Sequence, residues 1–536
     1  MIKSIFNKLK QVMIFGFNYE EKIILAHNIL IKNKTNNKVH LIKEKICNLG
    51  YLNSKENFKY DKKFKYDGIN INLSLEQFFY NFFINNQTFN SKLIFSLAFG
   101  KKFSYSVPKQ YLKLLNDNNV KTQNFLSKIS WFVTNLILLT YNILSIIFQS
   151  FYLLKISPKK KKVIYLDALS NVIPNDRIET DQSDFYSWCF KFLNINSNVT
   201  FVHSNILLKK YKISASIKTT HKILYSKFFY LKFSSLKFFT RYFKAFFETI
   251  IFLFKNIKNL KFTILSKEIF IYFYLKKCEH IVPDYSFFNN SKIIYKPLWT
   301  YLNKNDDYLF YYSTNIYPIN SINDSDLIDV YGHKMYTWSK YIVWYEGQKK
   351  WLNKKIPFDF NVFIGNFIPY EGKNINLGNY ANKKKLVIFD VTPRNKLTYS
   401  KEMNPYNIYS LDYCKKFLKD IFDIIEKKNI SVVLKRKRQI KTADQEYENY
   451  ISSLKISNNK INIHYGDTSA QSLIKKADIC ISIPLTSTAL IANYFNKPTA
   501  YYDPLQLVAD SVYFPNNIKI LKNKEDLKVW INKFLN

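Results

Sequence analysis

Residues 477–504 read ADICISIPLTSTALIANYFNKPTAYYDP. Asp478 precedes an apolar run, Ile479 to Ile483, which Pro484 stops. Thr486, Ser487 and Thr488 follow, then a helical pattern that ends near Asn496. Lys497-Pro498 leads into a second β-rich run, Thr499 to Tyr502, closed by Asp503-Pro504. The order is strand, hydroxyl-rich turn, helix, strand. A helix N-terminus carries free N–H groups and partial positive charge, so three hydroxyls placed there suit a phosphate. The carboxyl end of a parallel strand is also where open α/β sheets take their ligands.

The same alternation extends upstream. KKLVIFDVTP from Lys383 reads as a strand, Leu411 to Lys428 as a helix and Ile430 to Leu434 as a strand ending in Lys435-Arg436-Lys437-Arg438. Asp444 to Leu454 is helical, Ile461 to His464 extended and Ser469 to Lys476 a short helix. Strands and helices alternating at this spacing predict a parallel, doubly wound sheet. Four strand ends then bring candidate ligands for an anion to one edge. They are Asp390, Thr392 and Arg394; Lys435, Arg436 and Arg438; His464; and Thr486, Ser487 and Thr488. Taken alone, the KRKR run also suits a solvated charge patch and His464 a core histidine.

Toward the N-terminus, Val12 to Phe17 reads as a strand, Glu20 to Asn33 as a helix and Lys38 to Lys43 as a strand, which predicts a second Rossmann-like lobe. Residues 53–70 read as loop. Ile129 to Leu154 holds no charged residue over 26 positions, enough to span a bilayer. Yet Asn142, Ser145 and Gln149 share one helical face, so a surface-lying helix and a buried core helix stay open beside a spanning one. Lys159 to Lys162 follow and suit anionic headgroups. Across 221–275, Lys227, Lys237, Arg241, Lys244 and Lys255 fall on one arc of a helix otherwise rich in Phe and Tyr, the pattern of an interfacial helix.

The chain has 536 residues and a net charge of +40, from 80 basic and 40 acidic side chains. Lys, Asn, Ile, Phe and Tyr are inflated together, as AT-rich coding produces. Only five basic residues are arginine (Arg177, Arg241, Arg394, Arg436 and Arg438), which hints at places where a bidentate donor is wanted. Five scattered cysteines show no CxxC pair, so neither a disulfide framework nor a zinc site is expected. The basic N-terminus reads as an entry helix, not a signal peptide. No GxGxxG or P-loop occurs, so phosphate must be held by hydroxyls, helix ends and basic side chains. No acidic metal motif sits at a strand end; Asp306-Asp307 falls in a polar loop. Nucleic acid is not expected, because no RNA-binding motif accompanies the aromatics.

The C-terminal block resembles the nucleotide-binding lobe of GT-B glycosyltransferases of bacterial surface polysaccharide (capsule or lipopolysaccharide) biosynthesis. Capsule-type and CMP-sugar transferases and CDP-glycerol glycerophosphotransferases are the most similar. The shared pattern is Asp478, the strand at 479–483, Ser487-Thr488, Lys497-Pro498 and Tyr501 to Asp503. The loop at Lys435 to Arg438 lacks the His-Pro often found there, and Ile491 stands where retaining enzymes place a Glu. The segments at 296–315 and 342–352 also resemble surface-polysaccharide proteins.

The resemblance implies an α/β protein of two Rossmann-like lobes, an acceptor-side lobe over 1–375 with membrane-seeking helices and a nucleotide-sugar lobe over 380–536. It implies sugar transfer from a nucleotide-sugar donor to a lipid-linked or membrane-proximal glycan at the cytoplasmic face of the inner membrane. An inverting reaction without metal or other cofactor is expected, with Asp167, Asp176 or His203 as base. A glycerophosphotransferase and a non-catalytic membrane-associated scaffold are the alternatives.

Overall fold

The computed structural model describes residues 11, 13–35, 37–55, 64, 67–149, 162–167, 185–195, 199–203, 222–225, 236–256, 259–278, 282–288, 295–303, 306–311, 332–365, 383–402, 409–437, 443–457, 461–465, 468–508, 513, 515 and 517–535. The chain opens on a helical unit: α1 (Tyr19–Lys32), α2 (Lys38–Asn53), α3 (Ile71–Phe79), α4 (Gln87–Phe99), α5 (Lys109–Asp117) and α6 (Asn124–Gln149). The expected strands at Val12–Phe17 and Lys38–Lys43 are therefore overturned; Met13 to Phe15 are helical and Lys38 begins α2. The alternation in KVHLIK is six residues long. The full segment buries Val39, Ile42, Lys43, Ile46, Cys47 and Gly50, a spacing of three and four that only a helix puts on one face. Most of the loop expected at 53–70 lies outside the described residues.

A seven-stranded parallel sheet follows, from β1 (Lys162–Asp167), β2 (Val199–His203), β3 (Lys222–Tyr225), β4 (Tyr285–Phe288), β5 (Asp307–Phe310), β6 (Lys340–Val343) and β7 (Asn361–Ile364). Its order is β3-β2-β1-β4-β5-β6-β7. Helices α7 (Phe185–Leu193), α8 (Leu236–Lys255), α9 (Ser266–Lys276) and α10 (Glu346–Lys355) connect it, with a 3₁₀ turn over Leu260–Leu265. The second sheet comprises β8 (Lys385–Phe389), β9 (Ser431–Lys435), β10 (Ile461–His464), β11 (Ile479–Ser482), β12 (Thr499–Tyr502) and β13 (Lys519–Leu521). Its helices are α11 (Lys396–Glu402), α12 (Leu411–Ile425), α13 (Gln445–Ser457), α14 (Ala470–Lys475), α15 (Ser487–Tyr494) and α16 (Lys524–Leu535). The order β10-β9-β8-β11-β12-β13 is again doubly wound and wholly parallel. Strands β8, β9, β11 and β12 are almost wholly buried, which is why they read as continuous apolar runs. The two Rossmann-like lobes expected from sequence are present, each with a topological switch point, β1|β4 and β8|β11.

Helix α6 is amphipathic with its polar face turned inward. Asn135 is 1% exposed, whereas Phe125 is 74%, Ile137 61% and Tyr141 64% exposed. The polar face is bonded to the protein along the helix. Ser127 Oγ accepts from the Tyr105 amide at 2.9 Å, and Ser130 meets Ser106. Thr263 donates to Asn135 Oδ1 at 2.8 Å, Asn142 Nδ2 donates to Ser266 Oγ at 3.0 Å, and Tyr242 donates to the Ile146 carbonyl. The uncharged segment is thus not a core helix; its last residues, 150–154, lie outside the described set. Helix α8 adds Phe243, Phe247, Ile251 and Phe254 to the exposed apolar surface, with Lys244 and Lys255 beside them. The expected single aromatic face is split, since Tyr242, Ala245 and Phe252 are buried and Phe246 packs against the core, while Phe243, Phe247 and Phe254 face out. Lys227 and the Lys237 side chain fall outside the described residues, as do Lys159 to Lys161.

The lobes touch at α10. A Cβ added to Gly347 would stand 2.4 Å from the carbonyl oxygen of Tyr513, and the Trp351 and Tyr513 rings meet edge-on at 5.3 Å. Helix α11 reaches back to the helical unit, where Lys401 Nζ donates to the Tyr19 hydroxyl at 2.9 Å. Because backbone blocks the Gly347 Cβ, Gly347→Ala should lower the thermal midpoint by several degrees, an overpacking cost of about 1–3 kcal/mol. Gly68→Ala, with open space around its Cβ but a positive φ of 72°, should cost about 1–2 kcal/mol through backbone strain alone. Thermal unfolding of both variants measures the contrast.

Candidate functional site

The C-lobe crevice opens between the ends of β8 and β11. Beyond β11 the chain makes a tight turn at Pro484-Leu485, with Leu485 at φ 62°. The Tyr409 hydroxyl donates to the Pro484 and Leu485 carbonyls at 2.9 and 3.2 Å, and Tyr501 donates to the Thr486 carbonyl at 2.7 Å. The three expected hydroxyls then divide. Thr486 Oγ1 donates to the Ile483 carbonyl at 2.7 Å, and Thr488 Oγ1 meets Ser482 at 2.9 Å. Ser487, at the first position of α15 and half-buried, is the one not engaged by a protein partner among the described residues. Thr486 and Thr488 shape the turn, which leaves Ser487 and the helix N-terminus as the groups suited to an anion.

Beyond β8, Asp390 is buried and serves as an acceptor hub. It takes bonds from Thr392 Oγ1 at 3.0 Å, Tyr447 OH at 2.9 Å and the Lys437 amide at 3.2 Å. Burial pushes its carboxyl up; Arg436 nearby opposes that. Its donors come from three different segments, so it ties the ends of β8 and β9 to α13.

Arg436 corrects the sequence expectation most clearly. Its guanidinium is fully buried, holds Glu448 with two bonds (Nη1 to Oε2 at 2.8 Å) and lies 3.9 Å from Asp390. The bidentate fork is present, but its partner is a protein carboxylate. Lys435 is also buried, its Nζ donating to the Arg436 carbonyl at 3.0 Å. Arg394 is half-buried just past β8, pairing its backbone with Ala443. His464 ends β10, two strands beyond β8, and strand spacing puts it roughly 12 Å from the switch point, outside direct reach. Its carbonyl accepts from the Arg436 amide at 2.8 Å. Arg438 lies outside the described residues. Asp478, from the shared pattern, sits at the opposite sheet edge with Oδ2 accepting from the Lys385 amide at 2.6 Å. Asp503 is buried beneath Tyr413, which donates to it at 2.9 Å. Ile491 is buried in the core and does not face the crevice.

In the N-lobe, Asp167 is the last residue of β1 and half-buried at the switch point with β4. His203 ends β2; its side chain and the whole of Asp176 fall outside the described residues. The sequence reading missed a second carboxylate of this lobe, Glu268, which senses the Asp167 charge. Glu268 lies in the first turn of α9 and accepts from the Tyr295 hydroxyl at 2.9 Å. Burial raises its carboxyl above the ordinary 4.5, and the Asp167 charge adds to the rise. Two carboxylates that sense each other at a strand end are the usual material for proton transfer. SKE at 266–268 looks like a plain N-capped first turn, so nothing local marked it. Asp307, read as a loop residue, is instead buried in an ion pair with Lys296 at 3.0 Å.

Among solved structures the chain is similar to UDP-GlcNAc 2-epimerase of Methanocaldococcus jannaschii in complex with UDP-GlcNAc and UDP, at 15% identity over 70% of this chain and 93% of that one, TM-score 0.33. It is also similar to a glycosyltransferase from Rickettsia africae, at 13% identity over 70% and 88%, TM-score 0.33. A third is the α,α-trehalose 6-phosphate synthase of Burkholderia multivorans, at 7% identity over 70% and 91%, TM-score 0.37. No curated protein matches the sequence. The model of one protein family, however, matches residues 250–531, more than half of the chain, from the end of α8 through α16. By that match the chain belongs to the polysaccharide biosynthesis PFTS motif family.

Proposed function

We propose that this protein is a GT-B glycosyltransferase that moves a sugar from a nucleotide donor to a membrane-linked glycan. The observation that carries the reading is the pair of switch points, with Ser487 and the N-terminus of α15 following β11 at one and Asp167 ending β1 at the other. At β8|β11, Ser487 and the N-terminus of α15 receive the donor's phosphates, and Arg394 stands at the end of the adjoining strand. At β1|β4, Asp167 and Glu268 take the proton of the acceptor hydroxyl as it attacks the sugar's anomeric carbon. The nucleotide diphosphate leaves with the bonding electron pair, its charge met by the helix end and basic side chains. A single displacement of this kind inverts the anomeric centre and requires no metal.

The acceptor arrives from a membrane. Helix α6 is held to the protein through its polar face along its length, so it lies in the cytoplasmic interface of the bilayer and does not cross it. Moving each exposed Leu, Ile or Phe into the acyl boundary returns on the order of 1 kcal/mol. In this reading the chain is monotopic.

Donor binding by the full chain should discriminate among CMP, UDP, GDP and CDP. Turnover across a panel of nucleotide sugars and CDP-glycerol separates sugar transfer from glycerophosphate transfer. Ser487→Ala should weaken binding of the preferred nucleotide by about tenfold, the value of one hydrogen bond to a charged group, with unfolding unchanged. Arg436→Gln should act differently: it strands Glu448 and costs about 3–5 kcal/mol of stability. Unchanged nucleotide affinity in Ser487→Ala sinks the cradle assignment.

Asp167→Asn and Glu268→Gln should each cut turnover by about 10²–10⁴ with nucleotide affinity retained. The pair must lose a proton to act, so the rate should fall on the acid side at a pH above the ordinary 4.5 of a Glu, and that limb should vanish in Glu268→Gln. Stability carries the matching sign. A folded carboxyl with a raised pKa holds its proton more tightly than the unfolded one, so its contribution falls as pH rises from 4.5 through the folded value. A Glu268→Gln pH–rate profile that superimposes on wild type removes Glu268 from the mechanism.

Leu136→Glu with Ile137→Glu, both on the exposed arc, should weaken binding to phosphatidylcholine vesicles at least tenfold in a flotation assay without changing the unfolding midpoint.

A further inference from the structure

A cavity of about 620 Å³ opens in the helical unit, well apart from both switch points in sequence and lined from α3, the start of α5, the first half of α6 and Asn259 to Lys261. Its floor is charged and fully committed. Lys261 Nζ pairs with Glu76 Oε1 at 2.5 Å, and Tyr111 donates to Glu76 Oε2 at 2.6 Å. Its rim is different. Lys109 and Lys128 are exposed, line the opening, and meet no carboxylate among the described residues. Three lysines against one glutamate leave the cavity with a net charge of +2, from 3 − 1 over its lining residues. The N-terminus of α5 ends at the same rim, and its cap, Pro108, offers no side-chain acceptor to the free amides. Trp131 and Phe132 of α6 form an aromatic wall beside Leu75, Val107 and Leu260, with asparagine and glutamine side chains also in the lining, and Phe132 is part of the exposed apolar arc.

We infer that this cavity binds the phosphate of a lipid headgroup. A soluble anion would use the cationic rim and the helix end alone. The aromatic wall continues into the surface that meets the acyl boundary, so a ligand seated on Lys109 and Lys128 has its apolar tail directed along α6. The inference rests on the membrane reading of α6 and adds a specific site to it. The site lies in the acceptor-side lobe, on the helix whose later turns hold Ser266 through Asn142, two residues from Glu268. A phosphate-bearing lipid held there is placed on the same face from which the acceptor approaches.

The test uses the full chain in flotation assays with phosphatidylcholine vesicles, neat or containing about one-fifth phosphatidic acid. Wild type should bind both, and the second more tightly. Lys109→Gln with Lys128→Gln should lose most of that preference, on the order of tenfold or more at about 1 kcal/mol per lysine, and keep its affinity for the neutral vesicles. Lys419→Gln with Lys528→Gln, two exposed lysines of the C-lobe, removes the same charge and should shift the preference by less than about twofold. An equal loss in both double variants means general charge attraction and overturns the site. An undiminished preference in Lys109→Gln with Lys128→Gln overturns it as well. Calorimetry with inorganic pyrophosphate separates the sources: binding that needs the two rim lysines, with vesicle preference unaltered, makes this a soluble-anion site and refutes the lipid assignment. Failure of wild type to bind neutral vesicles refutes the membrane reading of α6 instead, a different result from any of these.

Discussion

One backbone clamp is repeated in both lobes, and the two crevices depend on it. In the N-lobe, Asp284 stands just before β4; its Oδ2 accepts from the Val163 amide at 2.7 Å, and its own amide donates to the Val163 carbonyl at 2.9 Å. In the C-lobe, Asp478 stands just before β11 and does the same to Lys385, at 2.6 and 3.0 Å. Each clamp fixes the central pair of a doubly wound sheet at its amino edge and so sets the register, Ile164 against Tyr285 and Leu386 against Ile479. In parallel sheets pairing register decides which residues emerge together at the far edge. There the clamped strands deliver Asp167 in one lobe and Asp390 with the 484–488 turn in the other. The acidic residue that opens the pattern at 477–504 is thus a device that aligns strand ends.

The C-lobe was legible because its physics is local. Buried parallel strands produce apolar runs of four or five residues, and helices such as α12 with an N-cap at Ser410 announce both ends. The N-lobe was less so. Its strands β4 to β7 are four residues each, set among aromatic-rich segments in which period 2 and period 3.6 look alike. The error at Lys38–Lys43 has the same origin: six residues cannot tell the periods apart, and only the continuation through Gly50 does.

The site shows where residue identity misleads. Arginine is scarce in this lysine-rich chain, and Arg436 is retained for its planar fork, as the sequence suggests. The property was legible and the partner was not, because Glu448 lies a helix away and its proximity is a tertiary fact. Glu268 is the converse. An acidic residue in a first helical turn is ordinary for dipole reasons. What sets it apart is its surroundings, since burial raises its carboxyl and the Asp167 charge adds to the rise, and both come from the tertiary fold.

The same logic explains α6. Hydropathy records an apolar segment and leaves its orientation open. The orientation follows from the few polar side chains: buried amides and hydroxyls need partners, and Thr263, Ser266 and Ser106 supply them on one side only. With that side fixed, the apolar arc has to face outward, and water is the worst solvent for it. The bonds that expose this surface are made to Thr263 and Ser266, the residues that lead into α9 and hence to Glu268. The exposed apolar arc of α6 and the first turn of α9 are therefore mechanically joined. A displacement of α6 against the 3₁₀ turn would break the Asn135 and Asn142 bonds and shift the first turn of α9, so the exposed apolar arc and the position of Glu268 share one set of hydrogen bonds.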